Sequence, residues 1–402
     1  MAKPRIFINM HYMELGGAER ALLGLLNALD TNKVDVDLFL NQHTGEFMSL
    51  IPKKINLLPE RRGYNAIERP MLQILKEGQF GIALGRIKAH ILHWKYSRTL
   101  SSDQKSVDYS SLHYSAECVQ SYLSSLEDLG EYDLAISFLQ PHNIVLNKVK
   151  AKKKIAWIHT DYSTIHINVE MELPVWAGFD YIASISHDCT CSFLTAFPSL
   201  KNKIIEIENI LSTNFVRHQA EMFDASMEMP LTSINLLSVG RFTYQKNFDN
   251  VPKIAKLLVE SGYHNLKWFI IGYGLGEEQI RQRIIESGMN DHVIILGKKE
   301  NPYPYIKACD IYIQPSRYEG KSVSVREAQI LYKPVIVTNY PTAKSQINDG
   351  YDGLIAPLDN TELARSISGL IGNVEQLELM ESYMKVHDFG NEDEVEKIYS
   401  LL

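Results

Sequence analysis

The chain has 402 residues, of which 45% are hydrophobic and 22% charged, and it carries a net charge of −7. That is ordinary globular composition at a length that suits two domains, each large enough to bury its own core. No run of about 20 apolar residues occurs, which argues against a transmembrane helix, and Cys118, Cys189, Cys191 and Cys309 lack paired spacing, which reads as inert thiols in a reducing compartment.

In chain order, the opening MAKPRIFINMHYM lacks the apolar stretch of a signal peptide and reads as a strand entering the fold. VDVDLFL follows as a second strand, and then a long irregular insertion over roughly 45–115, of the kind that adapts a domain to a substrate or surface. Charge concentrates there: Ile51 to Lys105 holds eleven Lys/Arg against four Asp/Glu, about +7, leaving about −14 for the rest. Leu84, Ile87, Ile91 and Trp94 recur in it at helical spacing, beside Arg86, Lys88, Lys95 and Arg98. Two readings fit that helix. It lies on an anionic membrane surface, or it presents a solvated face above a stripe that packs into the core.

YDLAISFL, KIAWIH and YIASIS continue the strand series. The patterning weakens near Asn209–Pro230 and then resumes with INLLSVGR, LKWFIIG, HVIILG, DIYIQP and PVIVT. Runs without in/out alternation suit parallel strands covered by helices on both faces. The expectation is an α/β chain of two doubly wound domains, 1–210 and 211–390, with a polar helix at 391–402 returning to the first.

Ligands of open α/β sheets bind beyond the carboxyl ends of the strands. Gly240-Arg241 and Lys246 follow INLLSVG, and two cations there suit a diphosphate; surface residues of a loop are the plain alternative. Gly272-Tyr-Gly274-Leu-Gly276 follows KWFIIG, and a tight strand-to-helix turn explains these glycines as well as a nucleotide does. Glu319 and Glu327 lie eight residues apart, around a helix start that contains Ser322 and Ser324 and could face phosphate.

Together these motifs resemble the retaining nucleotide-sugar glycosyltransferases of family 4, which have the GT-B fold, two Rossmann-like domains facing across a cleft. The motifs are Gly16-Gly17-Ala18-Glu19-Arg20, Ile158-His159, Gly240-Arg241 through Lys246, Gly272-x-Gly274 and Glu319-Gly-Lys-Ser-Val-Ser-Val-Arg-Glu327. The likeness covers most of the chain and is greatest to the capsular and exopolysaccharide branch. It implies that Arg241 and Lys246 hold the donor diphosphate, that Glu327 binds the ribose and that Glu319 lies by the donor sugar. It also implies that Gly272, Gly274 and the backbone of Gly320, Lys321 and Ser322 reach sugar or phosphate. From the first domain, Gly16 and Gly17 approach the donor, and His159 contacts its sugar. Asp161 departs from the adjacent His-Asp pair of relatives.

What the resemblance implies is hexosyl transfer from a nucleotide sugar, UDP-linked rather than GDP-linked, to a hydroxyl of a glycan or lipid-linked oligosaccharide in bacterial surface polysaccharide synthesis. His159, Arg241, Lys246 and Glu319 form the implied catalytic set, completed by domain closure. No cofactor, metal or nucleic acid is expected. Asp35-Val-Asp37 matches in letters the metal motif of another glycosyltransferase fold, but a strand's polar face explains it better. A non-catalytic scaffold and a sugar-nucleotide epimerase are the rival readings. The expected location is cytoplasmic, with peripheral attachment to the inner membrane face through residues 51–105.

Overall fold

The computed structural model describes residues 3–14, 16–67, 69–319 and 321–402. They divide into two units: one runs to Ile210 and includes Glu392–Leu402, and the other is Leu211–Asn391. The strands of the first are β1 (Arg5–Met10), β2 (Asp35–Leu40), β3 (Asn56–Leu57), β4 (Tyr132–Ser137), β5 (Ala151–Ile158), β6 (Tyr181–Ser184) and β7 (Ile204–Glu206). Those of the second are β8 (Ile234–Val239), β9 (Leu266–Ile271), β10 (Val293–Gly297), β11 (Ile311–Gln314), β12 (Val335–Thr338) and β13 (Leu354–Ala356). Among the described residues the two sheets have the orders β3-β2-β1-β4-β5-β6-β7 and β10-β9-β8-β11-β12-β13, and every pairing is parallel. Each order reverses once, between β1 and β4 and between β8 and β11. Those are the topological switch points of two Rossmann-like sheets.

The second sheet shows why its strands read as unbroken apolar runs. Leu236, Trp268, Ile270, Ile313 and Ile336 belong to one buried cluster. Their neighbours Leu237, Phe269, Ile271, Tyr312 and Val337 belong to another. Successive side chains point to opposite faces, so both faces are covered. In the first unit Phe7 packs in a cluster with Tyr132, Trp176 and Phe193, while Ile6 and Ile8, on the opposite face of β1, are also fully buried. The C-terminal stretch is tied down in that unit: Asp30 N–H donates to Tyr399 Oη at 2.7 Å and Lys153 Nζ to Leu401 O at 2.8 Å.

The insertion is ordered rather than irregular. It is mostly helical, with Phe80–Ser97 forming an 18-residue helix packed on the helix Ser110–Val119. Ile82, Ala83, Gly85 and Ala89 make its buried side, and a Cβ at Gly85 would come within 2.8 Å of Cys118 O. Small residues draw the two backbones together. The larger apolar residues at 84, 87, 91 and 94 therefore point away from the packing, so of the two readings the core stripe is wrong.

The Ser110–Val119 helix also carries His113, whose Nε2 lies 3.5 Å from Glu172 Oε1, both side chains being buried. Burial pushes the Glu172 carboxyl up to about 8 and the His113 imidazole down to about 4. The two groups therefore meet as neutral partners near pH 7. Glu172 holds its proton more tightly folded than unfolded, so its stabilisation is complete below the unfolded carboxyl range and is lost as pH rises toward 8. His113 acts in the opposite sense, and its stabilisation is complete above about pH 6.5. Between about pH 6.5 and 8 the stability of wild type should therefore fall relative to Glu172→Gln by roughly 1–2 kcal/mol. Urea unfolding of both proteins across that interval measures the difference, and a constant gap would show that Glu172 is already ionised.

Candidate active site

At the switch point of the second unit, β8 ends at Val239 and the chain passes through Gly240 and Arg241 to Lys246. β11 ends at Gln314 and leads to Glu319. The two loops are locked together. Lys246 Nζ donates to Glu319 Oε1 at 2.6 Å, and the side chains are only 16% and 6% exposed. The same oxygen accepts from Ser316 Oγ at 2.6 Å and Gln314 Nε2 at 3.1 Å, while Glu319 Oε2 accepts from Gln245 Nε2 at 3.2 Å. Asn247, buried and left-handed at φ 59°, donates to Pro315 O at 2.9 Å. Arg317 donates to both carboxylate oxygens of Asp249 at 3.0 Å and lies 4.0 Å over the Tyr244 ring.

Arg241 stands apart from this network. Its side chain is exposed and has no hydrogen bond, ion pair or ring contact among the described residues. Gly272 and Gly274 shape the loop that carries it. A Cβ at Gly272 would fall 1.9 Å from Gly240 O, and one at Gly274 would fall 2.9 Å from Phe242 O. Both positions have positive φ, 155° and 148°. These glycines let the end of β9 lie directly against the exit from β8, where Phe242 N–H donates to Tyr273 O at 2.8 Å.

The helix Val323–Ile330 starts beside this cluster. Ser322, its N-cap, is buried, and Gln346 clamps it by accepting from Ser322 N–H at 3.1 Å and donating to Ser322 O at 2.6 Å. Lys321 is exposed; Gly320 lies outside the described residues. Glu327 is fully buried in the helix, where its Oε1 accepts from Tyr303 Oη at 2.8 Å. The second unit thus gathers Arg241, Lys246, Glu319, Ser322, Gly272 and Gly274 around one strand-end region, with Glu327 beneath the surface.

In the first unit, Gly16 and Gly17 follow β1, and Gly16 is the N-cap of the helix Gly17–Ala28. Glu19 is buried there, its carboxyl pushed up by burial. His159 follows β5 directly. Its ring stacks on Trp157 at 6.1 Å between centroids and tilts against Phe138 at 4.6 Å. Burial pushes it down to about 3, so the imidazole is neutral, and its Nε2 has no hydrogen-bond partner among the described residues. Asp161 is engaged by Ser163, whose N–H and Oγ donate to Oδ1 at 2.9 and 2.7 Å. Asp37 accepts from Arg5 Nη2 at 2.9 Å, Tyr132 Oη at 2.7 Å and Asn56 Nδ2 at 2.6 Å. It serves as a structural acceptor at the start of β2, and no cluster of three or more His, Cys, Asp or Glu among the described residues could hold a metal ion.

Sequence reasoning missed the residues that hold the acids in place: Gln314, Ser316 and Gln245 around Glu319, and Tyr303 on Glu327. One signal was available. Gln314 closes an otherwise apolar strand at its carboxyl end, where a polar residue faces the switch point.

Residues 221–386 match the family model of glycosyl transferases group 1, and that stretch lies wholly within the second unit. Over that stretch the second unit is similar to glycosyl transferases group 1. An uncharacterised glycosyltransferase of Methanocaldococcus jannaschii is 26% identical over 253 residues, which are 57% of this chain and 62% of that protein. A Campylobacter jejuni N-acetylgalactosaminyltransferase, named for a diphospho-undecaprenol-linked acceptor, is 29% identical over 127 residues, 31% of this chain and 33% of that protein. The matched stretches therefore span less than two thirds of these relatives. The crystal structure of Anabaena HepE with UDP and glucose superposes with a TM-score of 0.66 at 15% identity, covering 99% of this chain and 100% of that one. The fold is GT-B, with two parallel Rossmann-like sheets.

Within the second unit, Glu319→Ala would leave Lys246 without its carboxylate partner and strand the donors of Ser316 and Gln314. Removing one member of a largely buried pair should destabilise the domain by about 3 kcal/mol. Arg241→Ala, at an exposed position outside the network, should stay within about 0.5 kcal/mol of wild type. Chemical denaturation of both variants tests the contrast, and equal effects would contradict the assignment of Lys246–Glu319 as the structural member.

Proposed function

We propose that this chain is a retaining family 4 hexosyltransferase that uses a UDP-linked sugar and a hydroxyl acceptor on a glycan or lipid-linked oligosaccharide, in bacterial surface polysaccharide synthesis. The observation that carries the reading is the pairing of an unengaged guanidinium, Arg241, with a locked Lys246–Glu319 cluster at the switch point of the unit similar to glycosyl transferases group 1. Arg241 has the donor capacity to grip two oxygens of a diphosphate, and Lys246 adds a second positive charge beside it. Glu319 Oε2 keeps lone-pair capacity for a sugar hydroxyl, since three of its four donors converge on Oε1. The UDP in the HepE structure and the undecaprenol-linked acceptor of the Campylobacter relative support the donor and acceptor classes.

The remaining residues take defined parts in this scheme. Gly272 and Gly274 set the loop, and the backbone of Gly320, Lys321 and Ser322 approaches sugar or phosphate. Glu327 binds the ribose after its carboxylate is released from Tyr303. Gly16 and Gly17 offer backbone to the donor. His159, whose imidazole is neutral, contacts the donor sugar. Reaction is by front-face attack: the acceptor oxygen bonds to the anomeric carbon, the bond to the diphosphate breaks, and the leaving phosphate takes the acceptor's proton. Arg241 and Lys246 stabilise the charge that develops on it, with no metal required.

Thermal unfolding with UDP, GDP or ADP, without added metal, tests the donor site. At about 100 times its dissociation constant the right nucleotide should add roughly 2.7 kcal/mol to stability. UDP should be that nucleotide, and Arg241→Ala should lose the response while its unliganded midpoint is preserved. A wild type indifferent to all three would overturn the reading.

A further inference from the structure

The helix Phe80–Ser97 turns an apolar face to solvent. Phe80, Leu84, Ile87, Ile91 and Trp94 are 62%, 60%, 48%, 48% and 52% exposed. At 3.6 residues per turn these positions fall within an arc of about 80°, and the packing residues Ile82, Gly85 and Ala89 point the opposite way. Single exposed apolar side chains are ordinary; a continuous row of five on one helix marks a surface that something covers. The short helix before it, Met71–Lys76, adds Leu72 and Leu75, which are also exposed.

The charge along the two helices is of one sign. Lys88 and Lys95 are exposed along one flank. Arg98, just past the helix, places its guanidinium 5.0 Å from the centre of the Trp94 ring. Neither helix contains an Asp or Glu. A polar face bearing only cations, an apolar row and a Trp–Arg pair at one end suit a helix lying in the headgroup plane of a bilayer. Each basic residue near an anionic surface adds attraction, and the net negative charge of the rest of the chain favours approach by this face. A second copy fits less well, because a symmetric pairing would set the same cations against one another with no acid between them.

We propose that this face docks on an anionic lipid bilayer, with Trp94 inserted at the headgroup level. Trp94 also supplies the probe, since Trp157, Trp176 and Trp268 are buried. In sedimentation with vesicles the protein should bind phosphatidylcholine containing phosphatidylglycerol at low salt, bind pure phosphatidylcholine weakly, and be released by high salt. Binding should blue-shift the emission and protect it from iodide, and Trp94→Phe should remove that signal. Lys88→Gln with Lys95→Gln should weaken partitioning about 25-fold, at about fivefold for each basic residue. Ile87→Ser with Ile91→Ser should weaken it too, and because all four sites are exposed the thermal midpoints should not move. Failure of wild type to bind anionic vesicles at low salt would overturn the proposal. Binding that ignores both double variants would do the same, as would a concentration-dependent dimer that they abolish in place of vesicle binding. A wild type that answers UDP but ignores vesicles would remove the docking surface alone and leave the donor site standing.

Discussion

The second unit depends on the salt bridge between Lys246 and Glu319. It crosses the point where the strand order reverses, and it fastens the loop after β8 to the loop after β11 at 2.6 Å. A pair so little exposed is stabilising only when its remaining donors and acceptors are satisfied. Here Ser316, Gln314 and Gln245 complete the carboxylate. Asn247 and Arg317 make further links between the same two loops. The result separates structural from available charge. Lys246 is a cation already engaged by Glu319, whereas Arg241, held on the same loop by the close approach of Gly272 to Gly240, keeps its full donor capacity.

The first unit relies on burial to suppress charge. His113, His142 and His159 are all pushed down by desolvation, and Glu172 is pushed up. An imidazole that stays neutral can accept or donate one hydrogen bond without adding a net charge. His159 is the member of this set that sits directly at a strand's carboxyl end. Its aromatic neighbours fix the ring while leaving Nε2 without a hydrogen-bond partner among the described residues.

The insertion inverts the usual relation between residue size and burial. Apart from Ile82, its long helix buries only alanine and glycine and exposes leucine, isoleucine and tryptophan, because at Gly85 the neighbouring helix approaches too closely for a large side chain to enter. Apolar periodicity shows that a helix has two kinds of face. It does not show which face meets the protein.

The sequence by itself determined the ten principal strands, the parallel arrangement and the Rossmann-like class, since continuous apolar runs between helical patterns leave few other packings. It also marked the strand ends where Arg241, Lys246, Glu319 and His159 lie. The short edge strands β3, β7 and β13 were not legible, because two or three residues carry no period. Nor was the division of labour within the site. Glu319 and Glu327 look alike in the chain, yet one is clamped by a lysine and three polar side chains, and the other is buried beneath a tyrosine from a different helix. Those partners come from segments far apart in sequence, and only the tertiary structure decides which of them meet. The same holds for the charge state of His159 and the direction of the Phe80–Ser97 face, which depend on what packs beside a residue rather than on what precedes it.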